Sequence, residues 1–212
     1  IRMPTTFSSK NFTRIVNSLA RKDPELDLII RKHSYPPMWT RPNTFATLIH
    51  IILEQQVSLA SAKAALLKLK KYIGVITPQK LLQLTDAELR ACYFSRQKTI
   101  YARELATTLV KKKLQLKKMV LLKDEEIRYE LKKIKGIGDW TVDVYLLFVL
   151  QRMDIFPAGD LAMMNTIKHL KQLPKQTTKE EIIAMAESWR PYRSVAAYLL
   201  WHYYIQSGGI RV

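Results

Sequence analysis

Two short stretches of the sequence hold residues whose types and order could do chemistry. The first is Leu131-Lys132-Lys133-Ile134-Lys135-Gly136-Ile137-Gly138-Asp139-Trp140-Thr141, in which two glycines bracket an aliphatic residue between two helix-period patterns. Glycine at 136 and 138 permits a tight turn with positive φ and lets backbone approach a ligand with no Cβ in the way. A turn of this kind points the first amide hydrogens of the next helix at one spot, where the helix dipole favours an anion such as a phosphate. Lys132, Lys133 and Lys135 surround that spot, and Ile134 and Ile137 are expected to pin the turn to the core.

The second stretch is Asp154-Ile155-Phe156-Pro157-Ala158-Gly159-Asp160-Leu161-Ala162. Pro157 and Gly159 force a loop, and Asp160 stands where the next apolar-periodic helix begins, the position of an N-cap. A carboxylate that accepts backbone amide hydrogens is held as an anion even in a partly dry pocket. A fixed anion suits the breaking of an N-glycosidic bond, because the sugar becomes cationic in the transition state. The same carboxylate could orient the attacking water. Where the leaving base already carries positive charge, one carboxylate suffices, in contrast with the pair that cleaves a sugar-sugar bond. Asp143 and Asp154 are weaker alternatives, each reading as a solvated helix or loop charge.

Helices must hold these stretches in place. Only six glycines occur in 212 residues, and Pro and Gly fall between apolar stretches whose positions repeat every three or four residues, the helical period. The pattern predicts helices over Asn11 to Leu19 and Pro24 to Arg31, then a turn-rich stretch from His33 to Pro42. Asn43 or Thr44 caps a helix to about Glu54, and Ser58 caps another to about Tyr72. Thr77-Pro78 starts a short helix, and Thr85-Asp86-Ala87-Glu88 reads as a capping box. Ser95 opens a long helix to about Lys113, Asp124 opens one to Lys133, and Asp139 caps one to about Met153. Helices near 161–171, 178–189 and 192–206 complete an all-α chain, with no alternating pattern that would argue for a sheet.

Lys and Arg number 35 against 18 Asp and Glu, a formal charge of +17, and such self-repulsion is best tolerated by a protein whose partner is a polyanion. Nucleic acid is therefore expected ahead of a membrane surface or an acidic protein. The longest apolar run, Val144 to Leu150, is too short to cross a bilayer, and the first thirty residues lack the pattern of a signal peptide. A soluble, intracellular protein is expected. Cys92 is the single cysteine, so thiolates within this chain can build no disulfide, zinc site or iron-sulfur cluster. The runs Lys111 to Lys113 and Lys117-Lys118 read first as solvated faces.

The segment Ile134 to Thr141, followed by Phe156-Pro157-Ala158-Gly159-Asp160-Leu161, resembles the helix-hairpin-helix DNA glycosylase superfamily. The Trp140-Thr141 pair, Glu54-Gln55-Gln56-Val57-Ser58, Ser95-Arg96-Gln97-Lys98 and Trp189-Arg190-Pro191-Tyr192-Arg193-Ser194 are similar to its DNA-3-methyladenine glycosylase II branch. The likeness spans about residues 40 to 205. About forty residues precede it, too few for the mixed α/β domain of larger bacterial members, so the resemblance is to the compact ones.

The resemblance implies a single unit of two helical lobes, about 40–125 and 1–39 plus 126–212, with the active-site cleft between them. The second lobe would hold hairpin 131–141 and catalytic loop 154–161. Asp160 matches the family's catalytic aspartate, and Trp140 and Trp201 match aromatic positions of the base pocket, where ring faces attract a cationic alkylated base. Gln55 and Gln56 stand where the family fills the gap left by a flipped base, although some relatives use an apolar wedge at 56. Lys132, Lys133, Lys135, Gly136, Gly138 and Thr141 would meet the DNA backbone, which positions the protein without reading sequence. By position, the carbonyls of Lys132, Ile134 and Ile137 would hold a Na or K ion bridging to phosphate, and no cofactor is required.

Relatives that also nick the strand carry a lysine where Trp140 stands, so the resemblance implies a monofunctional enzyme acting through water. The expected partner is duplex DNA with damaged bases, with no membrane partner, and the protein is expected to be a monomer. It would be cytoplasmic and nucleoid-associated in a bacterium, or nuclear in a eukaryote. Two rival readings remain: a non-catalytic helix-hairpin-helix DNA-binding module, and a glycosylase of the same fold for oxidised guanine.

Overall fold

A computed structural model describes residues 5–209. Along the chain run α1 (Phe12–Ala20), α2 (Pro24–His33), α3 (Phe45–Glu54), α4 (Leu59–Ile73), α5 (Pro78–Gln83), α6 (Asp86–Ala91) and α7 (Arg96–Val110). They are followed by α8 (Leu116–Met119), α9 (Asp124–Lys132), α10 (Asp139–Phe148), α11 (Leu161–Leu170), α12 (Lys179–Ala186), a 3-10 turn (Glu187–Trp189) and α13 (Arg193–Gln206). Among the described residues the only β-type pairing is an isolated bridge between Thr6 and Arg152, and the all-α class stands. Among the described residues no helix is long and apolar enough to cross a membrane.

Short polar side chains start most of these helices by accepting the orphan amide hydrogens of the first turn. Thr44, Ser58, Thr77 and Ser95 do so for α3, α4, α5 and α7. Thr85 with Glu88, and Thr178 with Glu181, form complete capping boxes.

The chain divides into two compact units, and the division falls inside α10, after Tyr145. The first spans Arg41–Tyr145 and holds α3 to α9 with the first turns of α10. Its centre is α3, buried on every side, which packs against α4 and α7. At its end, Arg41 forms two 2.8 Å bonds to the buried carboxylate of Glu54. The fork geometry satisfies both oxygens of a charge that would otherwise be costly to bury.

The second unit contains Thr5–Thr40 and the chain from Leu146 onward. Here α13 is central, with every residue from Ser194 to Tyr203 buried and with α1, α2 and α11 packed around it. The Tyr198 ring lies 5.1 to 5.5 Å from Phe148, Phe7, Trp39 and Phe12. Each large apolar side chain buried in this way contributes about 1.5–3 kcal/mol.

The structure departs from the sequence reading at several points. The hairpin groups with 41–145, not with the terminal segments: Gln55 at the end of α3 bonds to its turn and to α10, and Tyr101 of α7 lies against Gly136 in the turn. The helix expected to reach Met153 stops at Phe148. Gln151 has φ +53, Arg152 N bonds to Leu146 O, and Phe7 N and Met153 N pair with Gln151 O and Thr5 O. An extended strand-like pairing thus takes over where the apolar period continues. The short α8, with buried Met119, sits in a stretch for which the apolar pattern predicts no helix.

Candidate functional site

The hairpin is built as a turn closed from both sides. Ile134 N bonds to Leu131 O and Ile137 N to Ile134 O, and both isoleucines are buried, so the apolar pair does anchor the turn. Gly136 has φ +91, whereas Gly138 lies outside the left-handed region. The expected positive φ at both glycines is therefore corrected at 138. A Cβ on Gly136 would fall on the Tyr101 ring, while one on Gly138 would meet nothing within 4 Å. Gly136 is thus demanded by the protein itself. Gly138 leaves open surface at the mouth of α10, where its own carbonyl accepts the Val142 amide as the N-cap carbonyl does.

Asp139 is the first residue of α10 and not its cap. Its carboxylate receives Lys132 Nζ at 2.9 Å on both oxygens and Arg128 Nη1 at 2.9 Å. The Lys132 hydrogen bond, helped by Arg128, holds the carboxyl below the usual range against the upward push of burial. Arg128 also reaches the buried Asp143 at 2.5 Å, giving Asp143 a structural role. Lys133 pairs with Glu130 at 2.8 Å and lies over the Tyr129 ring. Of the three lysines expected to meet phosphate, Lys135 alone is exposed with no carboxylate partner among the described residues. Arg128 was missed in the sequence, since nothing local marks a residue eleven positions before its partner.

Thr141 is buried, 2 % exposed, and its Oγ1 accepts from Gln55 Nε2 at 2.9 Å. With the side chain engaged inside the protein, the group this position would offer to DNA is the backbone amide of the first turn of α10. Gln55 Nε2 also donates to Gly136 O at 2.8 Å. Both of its amide hydrogens are thus engaged by the hairpin. Next to it Gln56 is exposed with φ +56, in a tip whose Val57 and Leu59 are also exposed. Trp140, the second residue of α10, is half-buried.

In the second unit, Asp160 is where the sequence placed it. Its Oδ1 accepts from Met163 N at 2.9 Å, and its backbone N bonds to Pro157 O at 2.9 Å, closing the turn before α11. The loop is fixed upstream by α13: Ile155 N donates to Ser194 Oγ at 2.8 Å, and Arg193 Nε to Asp154 Oδ1 at 2.8 Å. Arg190 pairs with Asp154 as well, so Asp154 secures the loop that ends in Asp160. Phe156 packs against Trp189, whose indole donates to Asp23 at 2.8 Å. Trp201 is 9 % exposed and lies 5.0 Å from the Phe148 ring. No group of three or more potential metal-ligating side chains exists among the described residues.

An anion-ready helix mouth and a loop-borne carboxylate therefore sit on one all-α chain. Comparison with known proteins gives this arrangement its context. The DNA-3-methyladenine glycosylase 1 of Schizosaccharomyces pombe is 32% identical over 161 residues, 74% of this chain and 71% of that protein. A Bacillus subtilis DNA-3-methyladenine glycosylase is 26% identical over 195 residues, 86% of this chain and 64% of its own length. The solved S. pombe 3-methyladenine DNA glycosylase in complex with abasic DNA superposes with TM-score 0.81 at 26% identity, over 93% of this chain and all of that one. The family model of the HhH-GPD superfamily base excision DNA repair proteins matches residues 49–191, well over half of the sequence, and the chain belongs to that superfamily.

Proposed function

We propose that this protein is a monofunctional DNA glycosylase of base excision repair, which flips out alkylated bases such as 3-methyladenine and hydrolyses their bond to the sugar. The observation that carries the reading is Asp160, a carboxylate fixed by its own helix and loop in a chain whose relatives are named for that activity. As the C1′–N bond breaks, its electron pair leaves with the base and positive charge grows on the sugar, where the fixed carboxylate stabilises it. Water then adds to C1′ and loses a proton, giving a free base and an abasic site. Asp160 orients that water.

An alkylated purine leaves as a good leaving group, so no second carboxylate is required. Trp140 offers no amine at the position where a lysine would form a Schiff base. With Trp201, it would supply ring faces to a cationic base. Outside the pocket, the amides at the mouth of α10 and the Lys135 ammonium would hold phosphate. The carbonyls of Lys132, Ile134 and Ile137 would hold a Na or K ion there. Ile134 O already accepts the Ile137 amide, and a carbonyl has a second lone pair, so that oxygen can still face an ion. Such an ion would add positive charge beside the phosphate. A protein acting on chromosomal DNA would work in the bacterial cytoplasm or the eukaryotic nucleus.

Incubation with methylated duplex DNA and chromatography of the released bases tests the proposal. Release of 3-methyladenine, with no covalent adduct trapped by borohydride, is the expected result. DNA binding without release of any base would favour a binding module, and release of oxidised guanine alone would favour the other rival.

A further inference from the structure

The tip that carries Gln56 and the hairpin that would carry phosphate belong to different segments, yet Gln55 joins them directly and α7 touches both the end of α3 and the hairpin. Gln55 Nε2 donates to Gly136 O at 2.8 Å and to Thr141 Oγ1 at 2.9 Å. Lys98, near the start of α7, donates to Leu53 O at 2.6 Å in the last turn of α3. One turn further along α7, Tyr101 lies against Gly136, with its hydroxyl taken by Gln97. The end of α3, the start of α7 and the hairpin thus form one junction inside the first unit.

Gln55 is placed to make that junction stiff. It is the C-cap residue of α3, the last position before Gln56 takes up φ +56. A side chain in the left-handed region costs energy and persists only where its surroundings fix it. The carbonyl Gln55 holds is that of Gly136, whose own φ is +91 and whose Cα is pressed by Tyr101. The residue that precedes one unusual backbone position therefore holds the carbonyl of the other, and its second acceptor is the hydroxyl of the buried Thr141.

We infer that Gln55 is a positioning residue that sets the spacing between the DNA-filling tip at Gln56 and the phosphate-holding hairpin, so that gripping the backbone and filling the duplex occur together. This rests on the proposed glycosylase reading and deepens it. The insertion of Gln56 would be set by the hairpin's hold on phosphate, since the tip cannot withdraw without breaking both bonds of Gln55.

The test uses the full chain with Gln55→Leu, Gln56→Ala, Thr141→Val and Thr141→Ser. A duplex with 2-aminopurine beside a tetrahydrofuran abasic analogue reports insertion by fluorescence, with no need for catalysis, and anisotropy gives its Kd. Single-turnover release of 3-methyladenine is measured with the lesion paired and with the lesion opposite an abasic position, where no partner base must be left behind.

Gln55→Leu is expected to lose the fluorescence change as Gln56→Ala does, to keep Kd within about threefold, and to slow release from the paired lesion about tenfold, the effect of one net hydrogen bond. Release from the unpaired lesion should change less than twofold, Thr141→Ser should behave as wild type, and Thr141→Val should fall between. Equal slowing on both duplexes would make Gln55 merely structural, and a retained fluorescence change would remove the link to Gln56; either overturns the inference. If wild type gives the fluorescence change but releases no base, the glycosylase reading fails while the link between Gln55 and insertion stands.

Discussion

Replacing each glycine of the hairpin by alanine separates what the protein needs from what a ligand needs. In Gly136→Ala the new Cβ meets two obstacles. The backbone has φ +91, and a non-glycine residue in such a conformation costs about 1–3 kcal/mol. The Cβ also lands on the Tyr101 ring, and overpacking of this sort costs typically about 1–3 kcal/mol. The turn cannot easily rotate away, because Gln55 holds the Gly136 carbonyl. The sum is about 2–6 kcal/mol, a large share of the roughly 5–15 kcal/mol that holds a folded protein together.

In Gly138→Ala the Cβ meets nothing within 4 Å and no positive φ is involved. Stability should stay within about 1 kcal/mol of wild type, and a reduced unfolded-state entropy can even raise it. Phosphate approaching the mouth of α10 would meet the added methyl, so DNA affinity should fall. Urea unfolding read by tryptophan fluorescence, with duplex binding by anisotropy, gives both quantities. Adding Tyr101→Ala to Gly136→Ala should relieve the collision and leave the backbone cost. The reasoning is refuted if Gly136→Ala unfolds within 1 kcal/mol of wild type, or if Gly138→Ala unfolds early while binding normally.

Other expectations concern charge. Burial pushes the Asp23 carboxyl up, but hydrogen bonds from the Trp189 indole and the Lys171 ammonium, with the Lys171 charge, outweigh it and the net direction is down. A carboxyl lowered in the folded state stabilises the fold above its unfolded value, roughly pH 4, and that contribution is lost as pH falls through the folded value. Urea midpoints should therefore fall more steeply below about pH 4 in wild type than in Asp23→Asn. Lys135→Ala should reduce the slope of log affinity against log salt by about 0.9, the share of one phosphate; an unchanged slope would place Lys135 off the DNA. Arg193→Leu, which frees the loop leading to Asp160, should slow base release with little change in DNA affinity, measured by single-turnover kinetics and anisotropy. Parallel losses in both would point to misfolding of the second unit.

What could be read from the sequence was local. Asp160 is legible as an N-cap because Pro157, Gly159 and the following apolar period all lie within a few residues, and it caps α11 by accepting from Met163 N. Thr44, Ser58, Thr85 and Ser95 announce their helices in the same way. Distant partners left no trace. Gln55 reaches Gly136 across 81 positions and Trp189 reaches Asp23 across 166, and no periodicity encodes such a meeting. Tyr101, which explains Gly136, looks in the sequence like any other aromatic on a helix. The end of α10 was misjudged because the helical period runs on past the point where residues 151–153 pair with the chain near Thr5.

Base release by Asp160→Asn tests the central claim most directly. Asparagine is as good an N-cap as aspartate, so the bond to Met163 N and the fold should survive while the charge is removed. Under single-turnover conditions on 3-methyladenine duplex DNA, release should fall about 10²–10³-fold, the scale of one preorganised electrostatic contact, with DNA affinity and urea midpoint near wild type. A variant that binds, folds and releases the base at the wild-type rate would contradict it.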